Sequence, residues 1–137
     1  MEIFKSLPET TLAELIDNVL YMSPAPITEH ARVSADILGA LWTHCRAYAS
    51  VFHAPFDVYL DNSRNAVQPD VLVILYSNPR QPKPKGHYHG VPDFIVEILS
   101  PSNRYHDLVR KKNLYESKGV TEYWIVDPDT KKAFGYF

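Results

Sequence analysis

The sequence predicts an α/β protein in which a mixed β-sheet is flanked by helices and entered through an amino-terminal β-hairpin. Three observations predict it. Positions 67–75 and 94–99 are apolar on both parities apart from a few polar residues, as strands covered on both faces are. Positions 28–48 carry Val33, Ile37, Leu38, Leu41, Trp42, Cys45 and Tyr48 at helical steps of three and four. The order of elements is hairpin, helix, three strands, helix and two strands. They lie in a chain of 137 residues, a length that suits one domain spanning 1–137.

Each element has a local cause. Asp17-Asn18 separates two short apolar runs, and both residues tolerate positive φ, so a two-residue hairpin turn is expected there. Ser23-Pro24-Ala25-Pro26 stops the second strand. Thr28 is a plausible N-cap with Glu29 just inside, and the helix it opens should bury one face and reach Tyr48. Positions 51–60 read as one strand, 61–65 as a turn and 67–75 as the next strand. A long polar loop, 78–90, follows. Loops of this length are usually functional or mobile. After the strand at 94–99, Ser100-Pro101-Ser102-Asn103 supplies a stop and a cap for a helix to about Ser117, which Lys118-Gly119 ends. Positions 122–126 form a strand, Asp127-Pro128-Asp129-Thr130 a turn, and 133–137 the start of another strand. The sequence stops inside that strand, so the natural chain is expected to extend beyond Phe137.

Composition narrows the classes. Apolar residues make up 45% and charged residues 22%, which are globular values. One cysteine, Cys45, excludes an intramolecular disulfide framework and a cysteine-based zinc cluster, and its place on the helical stripe makes it core filling. The longest apolar run, Val71 to Tyr76, is far too short to span a bilayer. The first residues contain no signal-peptide core, so a cytoplasmic protein is expected. The formal charge of −2 does not announce a nucleic-acid partner.

Two carboxylates break the apolar strands. Asp70 opens the 67–75 strand's aliphatic run, and Glu97 stands inside Phe94-Ile95-Val96-Glu97-Ile98-Leu99. A buried carboxylate loses hydration worth several kcal/mol unless a cation, a proton or a metal ion compensates. Ordinary turn chemistry could account for Asp70, whereas Glu97 has an ion pair with the next helix as its plainest alternative. On parity, Asp70 shares a face with Leu72 and Ile74, and Glu97 with Ile95 and Leu99. If the two strands are neighbours, both acids can point to one side near one end. Oxygen ligands without cysteine suit Mg²⁺ or Mn²⁺ better than zinc. The following helix offers Lys111 and Lys112, and a helical wheel centred on Leu108, Val109, Leu114 and Tyr115 does not choose between them. His87 and His89 form a poor metal pair, because no third ligand is evident. Within the 78–90 loop, Arg80, Lys83 and Lys85 occur without an acid, which suits contact with phosphate.

These residues resemble a known family. Val67-Gln68-Pro69-Asp70-Val71, the block from Val91 to Ser102, Lys111 with Tyr115, and Gly119-Val120-Thr121-Glu122-Tyr123-Trp124-Ile125-Val126-Asp127-Pro128 are similar to the Uma-two family, described as bacterial endonucleases. That family belongs to the PD-(D/E)XK nuclease superfamily, so the resemblance implies the restriction-endonuclease-like fold. It covers nearly the whole chain and includes the Asp17-Asn18 hairpin, Glu14 and His30. It implies that Asp70 and Glu97 hold a divalent metal, with the main-chain carbonyl of Ile98 as a further ligand. The superfamily pattern places lysine two residues after the acid, where this chain has Leu99. The Uma-type families supply it from the following helix, four residues before its tyrosine, which is Lys111.

The expectation is a Mg²⁺- or Mn²⁺-dependent endonuclease acting on nucleic acid, DNA first. Asp70, Glu97 and Lys111 would be catalytic, and His30, Arg80, Lys83 and Lys85 would touch substrate. Glu14 reads as a surface or structural residue. A homodimer is expected by analogy with small nucleases that cut both strands. The alternative is an inactive domain of the same fold that binds nucleic acid or protein, and a hydrolase of small phosphoesters would use the same chemistry.

Overall fold

The computed structural model describes residues 1–137. Its strands form two five-stranded mixed sheets rather than the one expected. The first contains β1 (Ala13–Ile16), β2 (Val19–Met22), β4 (Val58–Tyr59), β5 (Ala66–Val67) and β7 (Tyr88–His89), in the order β2-β1-β5-β4-β7. The second contains β3 (Ala49–His53), β6 (Val71–Leu75), β8 (Phe94–Ile98), β9 (Glu122–Asp127) and β10 (Lys132–Tyr136), in the order β10-β9-β8-β6-β3. Each sheet has one parallel pair, β4 with β7 and β8 with β9.

Two expected strands are each divided between the sheets. The 51–60 segment leaves β3 at Ala54-Pro55 and resumes as β4. The 67–75 segment leaves β5 at Gln68-Pro69-Asp70 and resumes as β6. Proline has no N–H for a ladder, so both crossings fall where continuous pairing would fail. Aliphatic runs on both sides of each proline made the segments look continuous.

The hairpin forms as expected, with Asp17 at φ 49° and Asn18 at φ 66°. A short α1 (Glu2–Ser6), not foreseen, sets Phe4 against Leu15, Tyr59 and Ala66. Helix α2 spans Thr28–Cys45. Thr28 is its first residue and not its cap; Ile27 holds that place without a side-chain bond. Nor is its apolar face fully buried: His30 is its one buried residue, and Trp42 stays half-exposed. The 78–90 loop contains β7, whose Tyr88 is buried and donates from its hydroxyl to the Arg80 carbonyl.

The second helical segment differs from an ideal helix. It is π-helical over His106–Lys111 and becomes α3 over Lys112–Lys118, ending at Gly119 with φ 84°. The main core lies between the two sheets. Ile16, Val58, Val67 and Tyr88 from the first meet Leu72, Ile74, Ile95 and Ile125 from the second, and Leu114 and Tyr115 of α3 join them. No helix is long and apolar enough to cross a membrane.

Candidate active site

Antiparallel β6 and β8 pair Val71 with Val96, so the next positions outward are Asp70 and Glu97. Their side chains turn the same way and tie the strands together. Glu97 Oε1 accepts the Asp70 N–H at 2.9 Å, and Asp70 Oδ2 accepts the Ile98 N–H at 2.7 Å. The parity argument thus finds both acids on one side at one end, as expected.

Lys111 completes the group. Its Nζ lies 2.5 Å from Glu97 Oε2 and 2.6 Å from Glu14 Oε2, with Asp107 Oδ1 at 4.0 Å. Lys112 instead lies over the Tyr136 ring. The π-helical turn explains why the wheel could not separate the two. Its i-to-i+5 bonding changes the rotation per residue, so a wheel drawn for an α-helix misplaces everything before Lys112. Asp107 and Lys111 both face inward, and Val109, assigned to the buried stripe, is 38% exposed.

Asp107 and His106, which sequence reasoning passed over, and Glu14, which it read as a surface or structural residue, complete the cluster. Glu14 is 3% exposed; besides Lys111 it accepts the Gln68 N–H at 2.8 Å, and its Oε1 is 2.9 Å from His106 Nε2. A signal for it existed, since Glu14 sits among Ala13, Leu15 and Ile16 much as Glu97 sits among aliphatics. Asp107 is buried with Oδ2 lacking any hydrogen-bond partner. His106 had no signal of its own. Tyr115 donates to Glu97 Oε2 at 2.9 Å. His30 brings Nε2 to 3.3 Å from Asp70 Oδ2 and leaves its buried Nδ1 unpartnered.

All these groups but Tyr115 line an open cavity of about 590 Å³. Four carboxylates, Glu14, Asp70, Glu97 and Asp107, face it against two permanent cations, Lys111 and Arg110. Arg80, Lys83 and Lys85 do not line this cavity. They lie on the loop leading into β7, at the far edge of the first sheet. His87 sits 3.7 Å from both Glu9 and Asp57, and His89 stacks on Tyr59.

The charge imbalance appears in the ionisation of the cluster. Burial pushes Glu97 well above the usual carboxylate range despite the pull of Lys111, and Asp107, Asp70 and Glu14 push it further. Burial likewise raises Asp107 to about 7. Glu14 moves the other way: burial alone would raise it, but Lys111 and the bonds from His106 and Gln68 outweigh burial. Burial would lower Lys111, yet Glu14 and Glu97 hold it well above its ordinary value. The Asp70 hydrogen bond raises His30. One ammonium therefore serves several acids, and their mutual repulsion favours proton uptake at Glu97 and Asp107.

No three of these side chains are arranged to hold a metal ion as they stand, and what the cluster offers a hard divalent cation is its spare oxygens. Asp70 Oδ1 makes no hydrogen bond within the protein, Asp107 Oδ2 is orphaned, and carboxylate oxygens retain lone pairs beyond one bond. Ionised together, the four acids exceed the two permanent cations beside them.

A family model described as Uma2, "Putative restriction endonuclease", matches residues 1–137. Among solved structures the chain resembles one from Anabaena variabilis ATCC 29413, described as "a putative nuclease belonging to DUF820". The two are 22% identical with a TM-score of 0.81, over 98% of this chain and 77% of that one. No curated protein matches the chain. At that identity the likeness is one of fold, and it agrees with the restriction-endonuclease-like architecture expected from the sequence.

Proposed function

The chain belongs to the Uma2 family, "Putative restriction endonuclease", and from that premise we propose that it is a metal-dependent endonuclease hydrolysing phosphodiester bonds of nucleic acid, DNA first. The observation that carries the reading is the convergence of Asp70, Glu97 and buried Lys111 on the floor of one open cavity. A structural ion pair could remain wholly inside the core. Here the acids outnumber their cations, and Asp70, with a side chain 16% exposed, opens the buried group to the cavity.

Asp70, Glu97 and the Ile98 carbonyl are the groups that would hold Mg²⁺ or Mn²⁺, which when bound would polarise the phosphodiester and lower the pKa of a water. Lys111 keeps its proton, so its role is that of a fixed positive charge and donor near the phosphate, not of a base. Glu14 and Tyr115 hold that charge and Glu97 in place. His30, made more basic by Asp70, can donate to a phosphate oxygen at the cavity wall. Arg80, Lys83 and Lys85 would meet phosphates farther along the strand. Cutting both strands of a duplex would take two such sites, which a homodimer supplies.

The test is an assay on duplex DNA, single-stranded DNA and RNA with Mg²⁺ or Mn²⁺. Cleavage should vanish with chelator and in Asp70→Ala and Lys111→Ala. No cleavage of any substrate by the unmodified protein, or full cleavage by Asp70→Ala, would overturn the proposal.

A further inference from the structure

Of the two permanent cations lining the cavity, Lys111 is committed to carboxylates and Arg110 is not. No acid pairs with Arg110. Its guanidinium lies over the Tyr21 ring at 4.2 Å and near the Tyr105 ring at 5.1 Å. Its Nη1 donates to His106 Nδ1 at 2.9 Å. That bond fixes the histidine tautomer, with Nδ1 accepting and Nε2–H donating to Glu14.

This environment positions a guanidinium without neutralising it. Ring faces attract the cation while leaving its in-plane N–H groups free. A flexible surface arginine would lose several rotors on gripping an anion, whereas one held by two rings and a histidine has already lost them. A planar fork of this kind matches the two oxygens of a phosphate. Its place beside an excess of carboxylates also matters, because a polyanion approaching the cavity needs an unpaired cation where it enters.

We propose that Arg110, braced by Tyr21 and aimed by His106, is a second phosphate-binding point of the cavity and seats a backbone phosphate next to the one cleaved. The inference rests on the endonuclease reading for its substrate class. Tyr105, 63% exposed, bounds the same seat on its solvent side.

The test measures binding of a short labelled DNA, duplex and single-stranded, in chelator across a salt series. Arg110→Gln should weaken binding roughly tenfold and make the slope of log K against log salt shallower by about one. Arg110→Lys keeps the charge, so it should keep the slope while binding more weakly than the parent. Thermal denaturation of both variants separates lost contact from lost fold, and Arg110→Lys carries the test if Arg110→Gln does not fold. An unchanged slope in Arg110→Gln, or affinity unchanged in Arg110→Lys, overturns the inference. An Arg110-dependent slope without cleavage under Mg²⁺ or Mn²⁺ overturns the endonuclease reading while supporting Arg110 as the residue that seats a backbone phosphate. No binding by the unmodified protein overturns this inference, and cleavage of the same DNA under Mg²⁺ or Mn²⁺ decides the endonuclease reading separately.

Discussion

Asp70 and Glu97 exchange hydrogen bonds across adjacent antiparallel strands, the main chain of one donating to the side chain of the other and the Ile98 N–H returning the bond. Each carboxylate is aimed by backbone, the least mobile part of the molecule. Substitutions there should change charge before they change shape.

Asp70→Asn keeps an oxygen for the Ile98 N–H. It is expected to fold with nearly unchanged stability yet lose nuclease rate by at least about 100-fold, the scale of one dominant electrostatic contribution. Circular dichroism and a cleavage assay read the two halves. Comparable losses of stability and rate would make Asp70 a structural residue.

Lys111→Met would leave Glu14 and Glu97 buried without their shared cation. Breaking such a pair typically costs about 3–5 kcal/mol, to be read by urea denaturation. Adding Glu14→Gln should recover part of that stability and none of the cleavage. Recovery of cleavage would remove Lys111 from the chemistry.

Stability should fall with pH through the range set by Asp107. In the unfolded chain this carboxyl ionises near 3.8; in the folded protein, near 7. The unfolded state therefore loses its proton first, so the penalty grows from about pH 4 to about pH 7 and is complete above that. Asp107→Asn should raise the melting temperature above pH 7 and leave it little changed near pH 4. A pH-independent difference would contradict this.

Binding of Mg²⁺ or Mn²⁺ should release protons, because Glu97 and Asp107 are held above the usual carboxylate range. Calorimetry in buffers of different protonation enthalpy should show affinity rising with pH and a buffer-dependent heat. Asp70→Asn should abolish both. Affinity independent of pH would mean that the ion binds elsewhere.

The hairpin that carries Glu14 and Tyr21 turns on two non-glycine residues at positive φ. Asn18→Gly should stabilise the protein slightly, by up to about 1 kcal/mol. A lowered melting temperature would show that the Asn18 side chain does more than tolerate the turn.

What the residues disclosed by themselves followed from periodicity, whereas the choice of Lys111 and His30 came from the family resemblance. Alternation placed Asp70 and Glu97 on one side because strand parity survives any error in strand ends. The same logic, applied to Glu14 between Ala13 and Leu15, would have found the third acid. Three features were hidden. Pro55 and Pro69 divide runs that remain aliphatic on both sides, so the second sheet left no mark in hydropathy. The π-helical turn changes the angular step that a helical wheel assumes, which hid Asp107 and left Lys111 level with Lys112. His106 meets Glu14 and Arg110 meets Tyr21 across distant segments, and one sequence carries no record of such pairs.

Gln68, between Val67 of the first sheet and Val71 of the second, gives the crossing a wider meaning. Its amide reaches Thr11 and Asp57, and its main-chain N–H reaches Glu14. Glu14 belongs to one sheet, Asp70 and Glu97 border or belong to the other, and the lysine between them arrives on a helix. A chain with only the second sheet formed would keep Asp70 beside Glu97 but hold Glu14 apart from the ammonium the acids share. The protein thus contains an interlock: its candidate site and the joint between its sheets share Glu14 and Gln68, so the site is complete only when both sheets are in place.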